Sequence, residues 1–473
     1  MKKINIICIF ILIFFTGCND LEISDVKNHG INESTLERLK HLKETGNYKI
    51  SVADMEQSIL HFFCNTKTSA MRNIVNNAGV KISRIDEDVI AISEKSISNK
   101  AISEMVDTFD LFLYEFKIDN HDSAGFVVSS TDNRIGNVLA VVEKSDFYED
   151  SEFADMYFAL LINYINAVSA CWSSLMLDNT DSRNTYSSIV TSDDYSYRYW
   201  TYNDGNLDNI INLVWDQDYP YNSVIQSEKN YPYYAGCGPV ALGMILANIE
   251  YPKQCSLPKY SDISYDWEKM KEYSNAYMLT SDARHMVALL LYELGMQLNC
   301  KYKTSGTSCL NYSIQQYVTA NLCDSTWYDY NTKIIKDSIN KGYPVLCQGS
   351  SKKTVKKYKL FGKTIWTTTT YGEGHYWIVD GFADLSCTAY NKKTNETLDI
   401  RDTFLHCNVG WGGWCNGYYL AGVFDFNHLL TNQSFDRSTS STSYYTENYN
   451  KYDVEIFPYI HKDYDRVLVE DDE

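Results

Sequence analysis

Cys237 stands in the run Tyr233-Tyr234-Ala235-Gly236-Cys237-Gly238-Pro239-Val240-Ala241-Leu242, where a turn of small residues opens onto an apolar stretch of helical period. That placement suits a thiolate nucleophile. A helix N-terminus offers backbone N–H groups and the positive end of the helix dipole, both of which favour the charged sulfur. Pro239 fits the first turn, where a missing N–H costs nothing. A cysteine nucleophile needs an imidazole partner, and the downstream segment Gly372-Glu373-Gly374-His375-Tyr376-Trp377-Ile378-Val379-Asp380-Gly381 supplies one. With a period of two, His375, Trp377 and Val379 share one face of a strand, so His375 stands at a strand edge facing a cleft.

Two amides complete the set. Phe404-Leu405-His406-Cys407-Asn408-Val409-Gly410-Trp411 is a short strand running into a glycine- and tryptophan-rich turn. Asn408 is placed to accept the imidazole N–H and fix its tautomer, and Trp411 to keep water from that hydrogen bond. Upstream, Trp215-Asp216-Gln217-Asp218-Tyr219-Pro220-Tyr221-Asn222 sets the Gln217 amide N-terminal to the nucleophile, where it can join the Cys237 N–H in holding an oxyanion.

Taken together, these residues resemble the streptopain family of papain-clan cysteine peptidases. The matching pieces are Trp215-x-Gln217-x-x-Pro220-Tyr221-Asn222, Gly236-Cys237 with a helix running to Ile249-Glu250-Tyr251-Pro252, Gly374-His375 followed by Val379-Asp380-Gly381, and Asn408-x-Gly410-Trp411-Gly412-Gly413. Leu290-Leu291-Tyr292-Glu293-Leu294-Gly295 leading to Gly306-Thr307-Ser308, and Gly342-Tyr343-Pro344-Val345-Leu346, add to the likeness, which covers about residues 200 to 430. The separation of Cys237 from His375 falls within the roughly 130–150 residues found in papain-like enzymes. The resemblance implies Cys237 as nucleophile, His375 as general acid/base, Gln217 as oxyanion-hole amide, Asn408 as histidine-orienting residue and Trp411 as its shield. Gly238-Pro239 and Val409 depart from the pattern usual in the family. An α+β fold is implied: a papain-like catalytic domain with a helical lobe bearing Cys237 and an antiparallel sheet lobe bearing His375 and Asn408, preceded by a small α+β prodomain. No metal or organic cofactor is expected.

The elements upstream fit that plan. Helix-like patterns centre on Glu56 to Leu60 and Lys100 to Met105, and Leu111 to Phe116 reads as extended. Ala124 to Arg134 and Val138 to Glu143 read as a hairpin, and Phe153 to Ala170 as an amphipathic helix. The order of strand, Phe126-Val127-Val128-Ser129, Asp132-x-Arg134 and strand resembles the streptopain propeptide, whose implied role is to occlude the active site as an intramolecular inhibitor. Asp178 to Gly205 is polar and rich in tyrosine and serine. It reads as a linker and processing region, with Arg183 and Arg198 as candidate cleavage points. Thr431 to Lys451 reads as a loop before a last strand, Val454 to Phe457.

Lys2-Lys3, an apolar run from Ile4 to Phe15 and Thr16-Gly17-Cys18 have the form of a secretory signal, with Cys18 where a bacterial lipoprotein is cleaved and lipidated. The boundaries expected are a signal over 1–18, a prodomain over 19–177, a linker over 178–205 and the peptidase domain over 206–473. No other stretch reads as a bilayer-spanning run, so the expected product is an exported outer-membrane lipoprotein, periplasmic or cell-surface, held by its lipid alone. A formal charge of −19 and a pI near 4.9 argue against nucleic acid or an anionic membrane as partner. The partners left are protein or peptide substrates. Thirteen cysteines in an exported chain leave room for a structural disulfide, whose connectivity the spacing does not decide. Two other uses of the same cleft fit the sequence: an inactive peptide-binding lipoprotein, and a Cys–His amidase or transferase.

Overall fold

The computed structural model describes residues 31–45, 48–65, 80–98, 101–118, 124–144, 152–177, 195–204, 209–351, 358–360, 363–366, 374–391, 397–424, 438–439, 442–443 and 452–463. Cys18, the signal and Arg183 lie outside them.

In the N-terminal half, helices α1 (Glu33–Thr45) and α2 (Val52–Asn65) precede strands β1 (Val80–Ser98), β2 (Ala101–Ile118), β3 (Ala124–Ser130) and β4 (Val138–Val142), then helix α3 (Glu152–Leu177). The expected hairpin is present as antiparallel β3 and β4. Of Lys100 to Met105, expected to be helical, the described residues Ala101 to Met105 are not. Ala101 begins β2, whose early residues pair one-for-one with the far end of β1, so cross-strand pairing overrides the local helical pattern. Helix α3 outruns its expected span. Its segment 156–176 also reaches the length and apolar character of a membrane-crossing helix, contrary to expectation, but most of it is buried in the protein core. It is apolar nearly all round because it packs between the sheet and α1.

Strand β5 (Tyr195–Asp204) corrects the linker reading, since the second half of that polar stretch pairs antiparallel with a later strand. Its aromatic residues, Tyr195, Tyr197, Tyr199, Trp200 and Tyr202, favour a strand. Arg198 therefore lies within a paired strand, a poor substrate for cleavage.

The rest forms two lobes. Helices α4 (Ser223–Lys229), α5 (Cys237–Ile249), α6 (Trp267–Met270) and α7 (Ser281–Gln297), strands β6 (Lys301–Lys303) and β7 (Gly306–Ser308), and α8 (Asn311–Asn321) build the helical lobe. Then come β8 (Tyr328–Asp329), α9 (Thr332–Asn340), β9 (Val345–Ser351), β10 (Tyr358–Leu360), β11 (Lys363–Trp366), β12 (Gly374–Asn391), β13 (Thr397–Asn408), β14 (Gly417–Leu420), the short pair β15 (Ser438–Thr439) and β16 (Thr442–Ser443), and β17 (Tyr452–Phe457). The fold class is α+β, with the sheet antiparallel at every pairing.

One sheet runs through both halves in the order β1-β2-β3-β4-β14-β13-β12-β9-β17-β8. The junction is β4 on β14, with Val141 opposite Tyr418. Two cores result. One lies in the helical lobe around α5 and α7, and the other is shared by the N-terminal half and the catalytic sheet. In the shared core Phe62 of α2 meets the rings of Phe404 and Tyr418 at 4.8 and 6.0 Å, and Tyr157 of α3 meets Tyr419 at 4.7 Å. The Asp132-x-Arg134 motif has a packing role: Arg134, buried, bonds Asp132 and Asp107 and stacks over Tyr48 and Phe109.

A second charged tie crosses the halves. Arg38 of α1 donates to Asp402 of β13 and to the Tyr164 hydroxyl of α3, with both charged residues almost fully buried. Removing one member of such a pair strands the other charge at a cost of about 3–5 kcal/mol. Arg38→Met in a Cys237→Ala chain should therefore lower the unfolding free energy by about 3 kcal/mol or more in urea titration, and adding Asp402→Leu should restore part of the loss.

Candidate active site

Helix α5 is apolar and buried from Cys237 to Ala247, which makes it the central rod of the helical lobe and fixes its N-terminus at the lobe surface. Gly236 precedes it at φ 99°, a conformation that favours glycine, and its carbonyl accepts the first helical bond from Val240. The preceding loop is pinned to the upstream motif: Ala235 N–H donates to the Gln217 carbonyl at 2.8 Å, and the buried Asn222 amide donates to the Tyr233 carbonyl at 3.1 Å. Gln217 thus sits beside the turn that carries Cys237.

The sheet lobe meets this turn through β12 and the loop after β13. The place a Gly238 side chain would occupy is 3.5 Å from the Tyr376 ring, and that of Gly410 is 3.1 Å from Val240, one turn into α5. Gly412 N–H donates to the Trp215 carbonyl at 3.0 Å, and at φ 63° its bare Cα leaves room for the Asp216 carboxylate. Strands and turns far apart in sequence are drawn around one locus.

His375 lies in that locus and is 2 % exposed. Its Nε2 is 2.9 Å from the Val409 carbonyl oxygen, which makes Nε2 the protonated nitrogen, and Nδ1 has no hydrogen-bond partner among the described residues. No hydrogen bond therefore joins the imidazole to Cys237. Burial pushes the ring's pKa down to about 4, the bond to Val409 offsetting only part of the shift. Trp411 stands 6.1 Å from the imidazole on one side, and Phe153 of α3 stands edge-on at 6.0 Å on another. Phe153 also touches Trp377 and Tyr419 at 5.4 and 5.3 Å.

Asn408 was expected to orient the histidine. In this state it does not bond the ring: its amide donates to the Leu213 carbonyl at 2.7 Å and its oxygen accepts from Gly410 N–H at 3.4 Å. The next residue's carbonyl takes the ring instead, and Asn408 holds the turn that presents it. A backbone group leaves no mark in sequence, so Val409 could not have been read as a partner. His406 was also passed over. Its Nδ1 lies 2.5 Å from Asp380, at the bulge between Val379 and Gly381 where the β12–β13 register shifts. Burial alone would lower the His406 pKa, but the charge and hydrogen bond of Asp380, with Glu143, raise it. That pair holds the register of the strands carrying His375 and Asn408.

Four other thiols are unsuited to attack. Burial pushes Cys171 up to about 12 and raises Cys255, Cys347 and Cys407. Cys300 and Cys309 form a disulfide.

Residues 215–419 match the family model described as Peptidase C10 family, a stretch that starts at Trp215 of the glutamine motif and ends in β14. The protein is a cysteine peptidase, and Cys237, His375, Gln217, Asn408 and Trp411 all fall within the matched residues. Among solved structures, a mutant fragment of Prevotella intermedia prointerpain A is 16% identical with a TM-score of 0.43, covering 79% of this chain and 99% of that one. Active wild-type Prevotella intermedia interpain A cysteine protease is 18% identical with a TM-score of 0.34, covering 54% of this chain and 95% of that one. No curated protein matches the chain.

If Cys237 and His375 act as one unit, Cys237→Ala and His375→Ala should each bring peptide hydrolysis near background, and the double variant should lose no more than either. Asn408→Ala should be milder, about tenfold to a hundredfold, because the Val409 carbonyl stays in the backbone. Steady-state kinetics on a fluorogenic peptide checks all four.

Proposed function

We propose that the chain is an exported cysteine endopeptidase made as a zymogen, its N-terminal half holding the catalytic histidine out of action. The observation that carries this reading is Phe153 seated on a buried, neutral His375 that makes no bond to the thiol. A papain-type thiolate is stabilised by an imidazolium. A ring whose pKa is near 4 does not hold that proton at neutral pH.

Once Phe153 withdraws, solvent reaches the ring and its basicity recovers. Cys237 thiolate then attacks the peptide carbonyl, and the Gln217 amide and Cys237 N–H hold the oxyanion. His375 gives its proton to the leaving amine and next takes one from the water that cleaves the acyl-enzyme. Trp411 limits water at the ring. The bond between Cys237 sulfur and the acyl carbon is the only covalent intermediate.

Cleavage is best placed within residues 178–194, since β5 stays paired to β12 after such a cut. A full chain incubated alone should acquire a new N-terminus in that window and gain activity, whereas Cys237→Ala should not. The released fragment 19–177 should inhibit the processed enzyme in trans. Equal activity of full and processed chains, with no binding of the fragment by calorimetry, would show that the N-terminal half has another task.

The export reading rests on the Lys2-Lys3 start, the apolar run and Cys18. Cys18→Ser should abolish labelling by radioactive palmitate and shift the chain from the membrane to the soluble fraction. Equal label in both forms would remove the lipid anchor from the account.

A further inference from the structure

The Cys300–Cys309 disulfide closes the short hairpin of β6 and β7, and the hairpin lies against both residues that flank the nucleophile. On one side, the Thr307 side chain is 2.9 Å from where a Gly236 Cβ would stand, and its hydroxyl donates to the Tyr234 carbonyl at 2.6 Å. On the other, the Cys309 sulfur is 3.1 Å from where a Gly238 Cβ would stand. Gly238, which departs from the family pattern, is thus the residue that lets the sulfur approach. The Cys309 carbonyl faces the hydroxyl of Tyr376, the neighbour of His375, at 3.5 Å.

Besides the disulfide, the hairpin is held by Tyr302, which packs against the helical-lobe core and meets the Tyr233 ring at 6.0 Å. Lys301, Lys303, Thr304, Ser305 and Ser308 are exposed, and Thr307 alone is buried between the two cysteines. Two strands of three residues do not hold together by themselves. Cys300 and Cys309 are half-buried, within reach of a small reductant, while Cys171, Cys255, Cys347 and Cys407 are buried.

We propose that the Cys300–Cys309 disulfide positions the Cys237 turn, so that a thiol reductant strong enough to open it lowers the peptidase activity. The proposal rests on Cys237 being the nucleophile. The chemical step is ordinary exchange: a dithiol such as dithiothreitol gives two electrons and two protons, leaving as its cyclic disulfide, while Cys300 and Cys309 become thiols. A cysteine peptidase freed of thiol oxidation by reductant should gain activity. This one should gain it at low reductant and lose it again at high reductant.

The test is a dithiothreitol titration of the active wild-type enzyme. Mass spectrometry of alkylated peptides reports the state of Cys300 and Cys309, with kcat, KM, the iodoacetamide rate at Cys237 and near-UV circular dichroism followed in parallel. The expected result is that opening the disulfide lowers kcat by about tenfold or more with KM little changed, slows alkylation of Cys237 and leaves the fold intact. Cys300→Ser/Cys309→Ser should show the low kcat without reductant and no second fall. Thr307→Val, which keeps the disulfide but removes the bond to Tyr234, should lower kcat by a smaller factor.

An open disulfide with unchanged kcat and unchanged Cys237 alkylation would overturn the proposal. So would a loss of activity that tracks loss of near-UV signal, since the bridge would then support the fold and not the site. If the double variant does not fold, the wild-type titration decides alone. Undiminished hydrolysis by Cys237→Ala would instead remove the nucleophile reading, whatever the disulfide does.

Discussion

The contact of Phe153 with His375 is the constraint on which the state of this protein depends. A phenyl ring at the imidazole edge, backed by Trp377 and Tyr419, strips water from a group whose charged form needs it. The ring is held there by more than its own contacts. Helix α3 packs on the same sheet that carries His375, β4 pairs with β14, and Arg38 ties α1 and α3 to Asp402. One sheet and one core therefore both fold the N-terminal half and bury His375.

That arrangement sets a proton balance. Because the His375 pKa is lowered from 6.5 to about 4, the assembled state binds fewer protons than a released state between those values. Acid in that window weakens the buried state of His375, and with it the hold of the N-terminal half to the extent that Phe153 supplies that burial. His406 acts in the opposite sense. Its raised pKa gives stability that is present at low pH and lost as pH rises through that value, and part of it comes from Glu143 in the N-terminal half.

Much of the geometry around Cys237 and His375 was legible in sequence, for physical reasons. Cys237 announces itself because a glycine turn, a proline in the first turn and an apolar helix follow one another without a break, and that order is the local geometry a thiolate requires. His375 and Trp411 fall on a strand face and a glycine turn that the structure reproduces, with their rings 6.1 Å apart. What stayed hidden is long-range or backbone chemistry. The Val409 carbonyl has no side-chain signature, Phe153 is one aromatic residue among many, and the pairing of Cys300 with Cys309 follows from two chain ends meeting around a hairpin. Ala101 to Met105 and β5 were misread because each takes its conformation from a partner strand, the neighbouring β1 across a hairpin or β12 far along the chain.

The most direct test of the account is the titration of His375 by NMR in a Cys237→Ala chain labelled at histidine, before and after removal of the N-terminal half. The account predicts a ring protonated on Nε2 and neutral down to near pH 4 in the full chain, and a pKa returning toward 6.5 once residues 31–177 are gone. A ring that titrates near 6.5 in both forms would contradict it.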